Sequence, residues 1–238
     1  MGAAKVNQSG NTVVVTGGSK GIGLGLAKKF IAEGSKVIVI ARSKPENLDC
    51  DFFSCDLTNE DERNLVIDHL LKDHRDTNIL INNAGSQNSA NGIENLYTDT
   101  KKDIDLNIIA MMHFISGLYP LLKENTNSAI INVSSGYAIS PNVYLPIYSA
   151  SKSFVHSLTM SLRKTLEGNV AVFDLCPSAV KTDMNPHEGM SVDELVKIFW
   201  KAWKKNQFFI PVREVKILNL VTRLSKNLGM KLVSKQRL

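Results

Sequence analysis

The feature that most constrains this chain is the stretch Thr16-Gly17-Gly18-Ser19-Lys20-Gly21-Ile22-Gly23. It lies between an apolar run, Val13-Val14-Val15, and a helix-like segment, Leu24 to Glu33. A strand that ends in a glycine turn and passes straight into a helix is the context in which such a turn means a dinucleotide site. Gly17 permits the tight turn. Gly21 carries no side chain to hold a pyrophosphate away from the backbone. Gly23 lets the new helix lie against the sheet. The helix start offers free N–H groups and the positive end of its dipole to phosphate. Gly17, Ser19, Lys20, Gly21, Ile22 and Gly23 are therefore candidate cofactor contacts. Taken alone, the string also fits a ligand-free surface turn.

Strand-like runs recur at 11–16, 36–41, 52–55, 78–82, 129–134, 170–176 and 208–212, with helical patterns at 21–33, 59–74, 99–123, 149–167 and 191–205. This alternation predicts an α/β fold, a Rossmann-like doubly wound parallel sheet of about seven strands with helices on both faces. Ligands of such sheets gather at the carboxyl ends of the strands. The length of 238 residues suits a single domain, 1–238, with a flexible N-terminus at 1–10 and a basic extension at 213–238. No run approaches the roughly 18 apolar residues of a membrane span, and residues 1–11 lack the apolar core of a secretory signal. Cys50, Cys55 and Cys176 have no metal-ligand spacing, so no metal site is expected, and they read as reduced thiols of a cytoplasmic protein. The formal charge of +5 is modest and no nucleic-acid motif is present, which argues against a nucleic-acid partner.

The second strand ends in Ile40-Ala41-Arg42-Ser43. In a dinucleotide fold this end meets the adenosine ribose, where a carboxylate would bind the 2′-hydroxyl of NAD. Ala41 occupies that position, with Arg42 beside it and Lys20 in the glycine turn. Two cations suit a 2′-phosphate, so NADP(H) is the favoured cofactor. Asp56, at the end of the third strand, either accepts from the adenine amino group or caps the helix that begins near Asn59. Asn82-Asn83-Ala84-Gly85 follows the fourth strand, where small residues let the backbone approach a cofactor. Its Asn side chains can tie the strand end to its neighbours.

Chemistry enters with Asn132-Val133-Ser134-Ser135 and, thirteen residues after Ser135, with Tyr148-Ser149-Ala150-Ser151-Lys152. Tyr148 and Lys152 are four apart and share one helix face. A neighbouring ammonium favours the phenolate, which predicts a lowered Tyr148 pKa and a phenol able to trade protons near neutral pH. Ser135 can hydrogen-bond a carbonyl oxygen beside that phenol.

TGGSKGIG at 16–23, NNAG at 82–85, Ser135 and YSASK at 148–152 together resemble the short-chain dehydrogenase/reductase family in order and spacing, over roughly residues 11–182. The resemblance implies that Tyr148 exchanges a proton with the substrate oxygen. Lys152 tunes Tyr148 and holds the nicotinamide ribose, and Ser135 positions the substrate. Asn107, in Asp105-Leu106-Asn107-Ile108, matches the fourth catalytic position, which holds a relay water. Pro177, Val180 and Thr182 match the family's segment beside the nicotinamide, whereas Ser178 stands where the family has glycine. Ser178 would be strained if that position needed a positive φ. The resemblance also implies a homodimer or homotetramer, built on the helices at 99–123 and 149–167. The overall expectation is NADPH-dependent reduction of a ketone or aldehyde. Reduction of a lipid or sterol ketone at a membrane is one alternative. A non-catalytic NADP(H)-binding regulator is another, against which the intact Ser135, Tyr148 and Lys152 set argues.

Only 25 residues separate Thr182 from Phe208, which predicts a shallow, open substrate site. The segment 213–238 holds seven Lys or Arg and one acidic residue, with Ile217, Leu220, Val221, Leu224 and Leu228 at helical spacing. Two readings stand: a stripe packed on the domain or a second subunit, or a basic amphipathic helix in peripheral contact with an anionic membrane. Trp200, Trp203 and Phe199 read as helix packing rather than a ligand box.

Overall fold

Strands covered on both faces are buried along their length, and five of the seven strands here are, with Lys36 at the start of one of them as their single exposed residue. The computed structural model describes residues 6–87, 96–97 and 100–234. Its strands are β1 (Thr12–Thr16), β2 (Lys36–Ala41), β3 (Asp51–Ser54), β4 (Thr77–Asn82), β5 (Ala129–Val133), β6 (Ala171–Cys176) and β7 (Phe209–Pro211). They form one parallel sheet in the order β3-β2-β1-β4-β5-β6-β7. Side chains alternate between two cores. Val13, Val15, Ile79, Ile131 and Phe173 face α1 (Gly21–Ala32) and α7 (Val192–Lys204). Val14, Ile38, Leu80, Ile130 and Val172 face α2 (Glu60–Asp73), α4 (Ala110–Glu124) and α6 (Pro146–Thr165). Trp200 and Trp203 pack around Phe30 and Phe199 in the first core, as expected of helix packing.

The doubly wound sheet agrees with the sequence pattern, and the differences are local. The helix expected at 99–123 begins, within the described residues, as α3 (Lys101–Ile104). It passes through a π-helical turn, Asp105–Ile109, and continues as α4. From Lys101 to Glu124 it has the length and mean hydropathy, 1.3, of a membrane-crossing helix, contrary to the sequence reading. Phe114, Leu118 and Leu122 are nevertheless fully buried beneath the sheet. A short helix absent from the sequence reading, α5 (Gly136–Ile139), follows β5. Pro146 starts α6 before the expected residue 149, because a proline in the first turn forfeits no helical hydrogen bond.

Of the N-terminal segment 1–10, residues 1–5 lie outside the described residues. Val6 packs against the first core, and the Asn11 side chain donates to Asn7 O at 3.1 Å, so 6–10 has anchors. The C-terminal extension, described to residue 234, is two helices, α8 (Glu214–Leu224) and α9 (Lys226–Ser234), broken at the extended Ser225.

Candidate active site

The strand order reverses between β1 and β4, and this opens a crevice at their carboxyl ends. The glycine turn lies there. Gly17 (φ 65°) and Gly21 (φ 52°) take left-handed conformations that favour glycine. Asn83 fastens the turn: its Nδ2 donates to Thr16 O (3.2 Å) and Gly17 O (3.0 Å). Thr16 Oγ1 accepts in return from the N–H groups of Asn83 (3.1 Å) and Ala84 (3.3 Å). The expected Asn ties are therefore present, and they bring 83–85 against the turn. No side chain caps α1, and its first turn carries no acidic residue. A helix start so arranged fits the pyrophosphate of a dinucleotide.

At the ends of β2 and β3, Arg42 is exposed and Ala41 buried. Asp56 is not the cap of α2. Asn59 is, accepting from the N–H groups of Asp61 and Glu62, while Asp56 Oδ1 accepts from Thr58 N (2.9 Å) and Thr58 Oγ1 (2.8 Å). Those Thr58 bonds, and more weakly Arg42, hold the Asp56 carboxyl below the usual range. The structure gives Lys20 a partner the sequence did not suggest: its Nζ lies 3.0 Å from Asp183 Oδ2, both side chains largely exposed. An exposed pair of this kind contributes little and yields readily to another anion.

Tyr148, Lys152, Ser135 and Asn107 converge on the same crevice and all are buried. Lys152 Nζ donates to Val133 O at 2.8 Å and stands 5.8 Å from the Tyr148 ring centre. A Cβ added to Gly85 would lie 3.4 Å from Lys152 Nζ and 3.1 Å from Asn107 Oδ1, so this glycine keeps the backbone close to both. Burial pushes the Tyr148 phenol up to about 12, against a hydrogen bond with Ser135 that lowers it. This corrects the expected depression. The phenol is desolvated, and the Lys152 ammonium is turned to the Val133 carbonyl. Burial also lowers Lys152 to about 8, with Asp174 opposing the shift.

The π turn adds a residue to one helical turn and so sets Asn107 inward. Asn107 Oδ1 accepts from Ser86 N (2.8 Å), and its Nδ2 donates to Ser86 O (3.0 Å) and Ser151 Oγ (3.2 Å). Below these groups a small crevice is lined by Thr16, Asn82, Asn107 and Lys152 on its polar side and by Met111 and Phe114 on its apolar side.

Sequence reasoning missed the layer behind. Ser134 Oγ donates to Asp174 Oδ1 and His156 Nδ1 meets Asp174 Oδ2, each at 2.5 Å, with Asp174 fully buried. Two signals were present: a lone carboxylate inside the apolar strand Ala-Val-Phe-Asp-Leu-Cys, and His156 four residues beyond Lys152 on the same helix face. Asp174 also acts on its neighbour Cys176, whose thiol burial pushes up to about 12, which makes it inert. Ser86, Ser151 and Tyr137, which stands edge-on to Tyr148 at 6.2 Å, were missed too. Their roles depend on folding rather than on motif.

After β6, Pro177 O accepts from Gly136 N at 2.8 Å. Ser178 has no positive φ, so replacing glycine there carries no strain. Ala179 O and Lys181 N, on either side of Val180, bond to Met190. Thr182 abuts the glycine turn: a Cβ on Gly21 would lie 3.1 Å from Thr182 Cγ2. The chain from Thr182 to α7 has no helix among its described residues.

Comparison with known proteins agrees with this geometry. The short chain dehydrogenase family model matches residues 11–191. The uncharacterized oxidoreductase DltE of Bacillus subtilis is 32% identical over 238 aligned residues, covering 92% of this chain and 94% of its own. A short-chain dehydrogenase from Sphingobium yanoikuyae, solved with NADPH, superposes with a TM-score of 0.79 at 25% identity, over 92% of this chain and 94% of that one. One from Burkholderia cenocepacia, solved with NADP, gives a TM-score of 0.85 at 22% identity, over 96% and 99%. Glycine turn, strand order, inward Asn107 and the Ser135, Tyr148 and Lys152 cluster thus stand in a chain that belongs to the short-chain dehydrogenase/reductase family of oxidoreductases.

Proposed function

We propose that this protein transfers a hydride between NADP(H) and a carbonyl or alcohol substrate, working chiefly as an NADPH-dependent ketone or aldehyde reductase. The observation that carries the reading is the cluster of Ser135, Tyr148 and Lys152, which Gly85 joins to the strand end that Asn83 ties to the glycine turn before α1. The bound nicotinamide would supply the hydride; everything else falls to this chain. Gly17 to Gly23 would hold the pyrophosphate, with Asn83, Ala84 and Gly85 along the same wall and Pro177, Val180 and Thr182 opposite. Arg42, joined by Lys20 once released from Asp183, would take the 2′-phosphate, and Asp56 the adenine. Ser135 would orient the substrate oxygen against the phenol. Tyr148 would deliver the proton there, and Lys152 with Asn107 would return one from the crevice beneath.

With its pKa raised by burial, the Tyr148 phenol stays protonated at neutral pH, which is the form that reduction consumes. The similarity to a dehydrogenase solved with NADPH supports a nicotinamide cofactor, and exposed Arg42 beside the carboxylate-free end of β2 supports the choice of NADP(H). The test is loss of absorbance at 340 nm with NADPH or NADH across ketones, aldehydes and quinones. Carbonyl-dependent consumption with NADPH is expected. Consumption with NADH alone would remove the NADP assignment. Arg42→Glu is expected to weaken NADPH binding, read by fluorescence titration, on the order of tenfold to a hundredfold while NADH binding changes little.

Lys152 is cationic below about 8 and neutral above it. The cationic form is the one the proton relay needs. For reduction, kcat/KM, which reports the free enzyme, should therefore be flat below that pH and fall with rising pH, by up to about tenfold per unit. A profile still flat at pH 10 would show that Lys152 does not titrate in this way. Exposed Ile109 on the π turn, with Phe154 and Met160 on α6, supports a homo-oligomer built on these long helices.

A further inference from the structure

The C-terminal segment, expected as a helix whose apolar stripe packs on the domain or a second subunit or else lies on an anionic membrane, is two helices. They do not bury that stripe. Ile217, Leu220 and Leu224 are 66%, 62% and 83% exposed, and Leu228 and Leu232 are 50% and 45% exposed. The helices are held from the opposite side. Val215 and Val233 are buried, a Cβ on Gly136 would lie 3.0 Å from Val215 Cγ2, and one on Gly229 would lie 3.2 Å from Ser140 Oγ. The exposed stripe on α8 recurs at i, i+3 and i+7, and that on α9 at i and i+4, so each forms one continuous face. Lys216 and Arg223 border the first stripe and Lys226 and Lys231 the second, all exposed. Glu214 is the only acidic residue in either helix.

We infer that α8 and α9 form a platform that docks this protein on an anionic lipid surface. Charge decides the occupant. A second copy seated face to face would set Lys216, Arg223, Lys226 and Lys231 against their own counterparts, in a chain already at +5. An anionic bilayer neutralises the same cations while taking up the leucines. At 11 and 9 residues the helices are far too short to span a bilayer and suit lying in its surface plane. The platform packs on α5, which leads directly out of Ser135 and carries Tyr137 against Tyr148, so docking holds the cleft close to the membrane.

The test is co-sedimentation of the full chain with vesicles of phosphatidylcholine alone and with about one third phosphatidylserine, alongside sedimentation velocity without lipid. The full chain is expected to pellet with the anionic vesicles, weakly with the neutral ones, and less as salt is raised. Leu220→Ser/Leu224→Ser and Lys216→Glu/Arg223→Glu should each lower binding by roughly tenfold or more, with melting temperatures near that of the parent. Failure of the full chain to pellet with anionic vesicles would overturn the inference, as would binding unchanged in the leucine variant. A dimer that the leucine variant dissociates, without vesicle binding, would assign the face to a second copy instead. None of these readouts depends on catalysis.

Discussion

Tyr148→Phe should lose carbonyl reduction by about 10³-fold or more in kcat while binding NADPH as the parent does. The substitution removes one hydroxyl and leaves the ring, so its edge-on contact with Tyr137 and its place near Lys152 remain. What disappears is the proton that must reach the substrate oxygen as the hydride arrives, and removing a positioned general acid typically costs 10²–10⁴-fold. Ser135 remains, with its Oγ accepting from Tyr137 N at 3.2 Å, but a serine hydroxyl is a poorer acid and is placed to orient rather than to donate. Steady-state turnover beside a fluorescence titration of NADPH makes the check. A fall in affinity equal to the fall in turnover would mean that Tyr148 builds the cofactor site and is not the acid.

Gly23→Ala should damage both fold and cofactor binding. A Cβ there would lie 2.4 Å from Gly17 O and 2.4 Å from Asn83 Nδ2. The first is backbone and cannot swing aside. The second is the amide that pins the turn through Thr16 O and Gly17 O. Relief would require α1 to back away from β1, taking its N-terminal N–H groups from where phosphate must sit. Overpacking of this severity costs ~2–3 kcal/mol, which for a chain of this size lowers Tm by ~5–10 °C. NADPH affinity should fall by roughly a hundredfold, since a displaced helix start loses aligned donors and dipole together. Calorimetry with and without NADPH separates the two effects. An unchanged Tm with full affinity would show that the turn tolerates a side chain and that Gly23 is not required for packing.

Much of this was legible because a parallel sheet covered on both faces writes itself as apolar runs. Val13 to Val15 and Ile79 to Ile81 are fully buried and unmistakable. β3 was weaker because its ends, Asp51 and Ser54, are exposed at the sheet edge. The candidate catalytic cluster was legible from the joint resemblance of TGGSKGIG, NNAG, Ser135 and YSASK, since Tyr148 and Lys152 one helical turn apart are by themselves an ordinary helix face. The illegible parts depend on distant partners. Lys20 and Asp183 are 163 positions apart, and no local pattern announces their pairing. The raised Tyr148 pKa comes from burial, which reverses the direction expected from a neighbouring cation alone. The π turn that aims Asn107 inward has no periodicity distinct from an α-helix. At the C-terminus the spacing of Ile217, Leu220 and Leu224 announced a helix face but not which way it points, and the break at Ser225 was not visible.

The proposed function rests on one step, in which a hydride passes to a carbonyl carbon while Tyr148 supplies the proton. The measurement that tests it most directly is incubation with NADPH deuterated at the nicotinamide C4 and a reducible ketone, followed by mass spectrometry of the alcohol. One of the two C4-deuterated diastereomers is expected to place one deuterium on the carbinol carbon for each NADPH consumed, with almost no product from Tyr148→Phe. Alcohol without deuterium from either C4-deuterated diastereomer, or equal product from the variant, would contradict it.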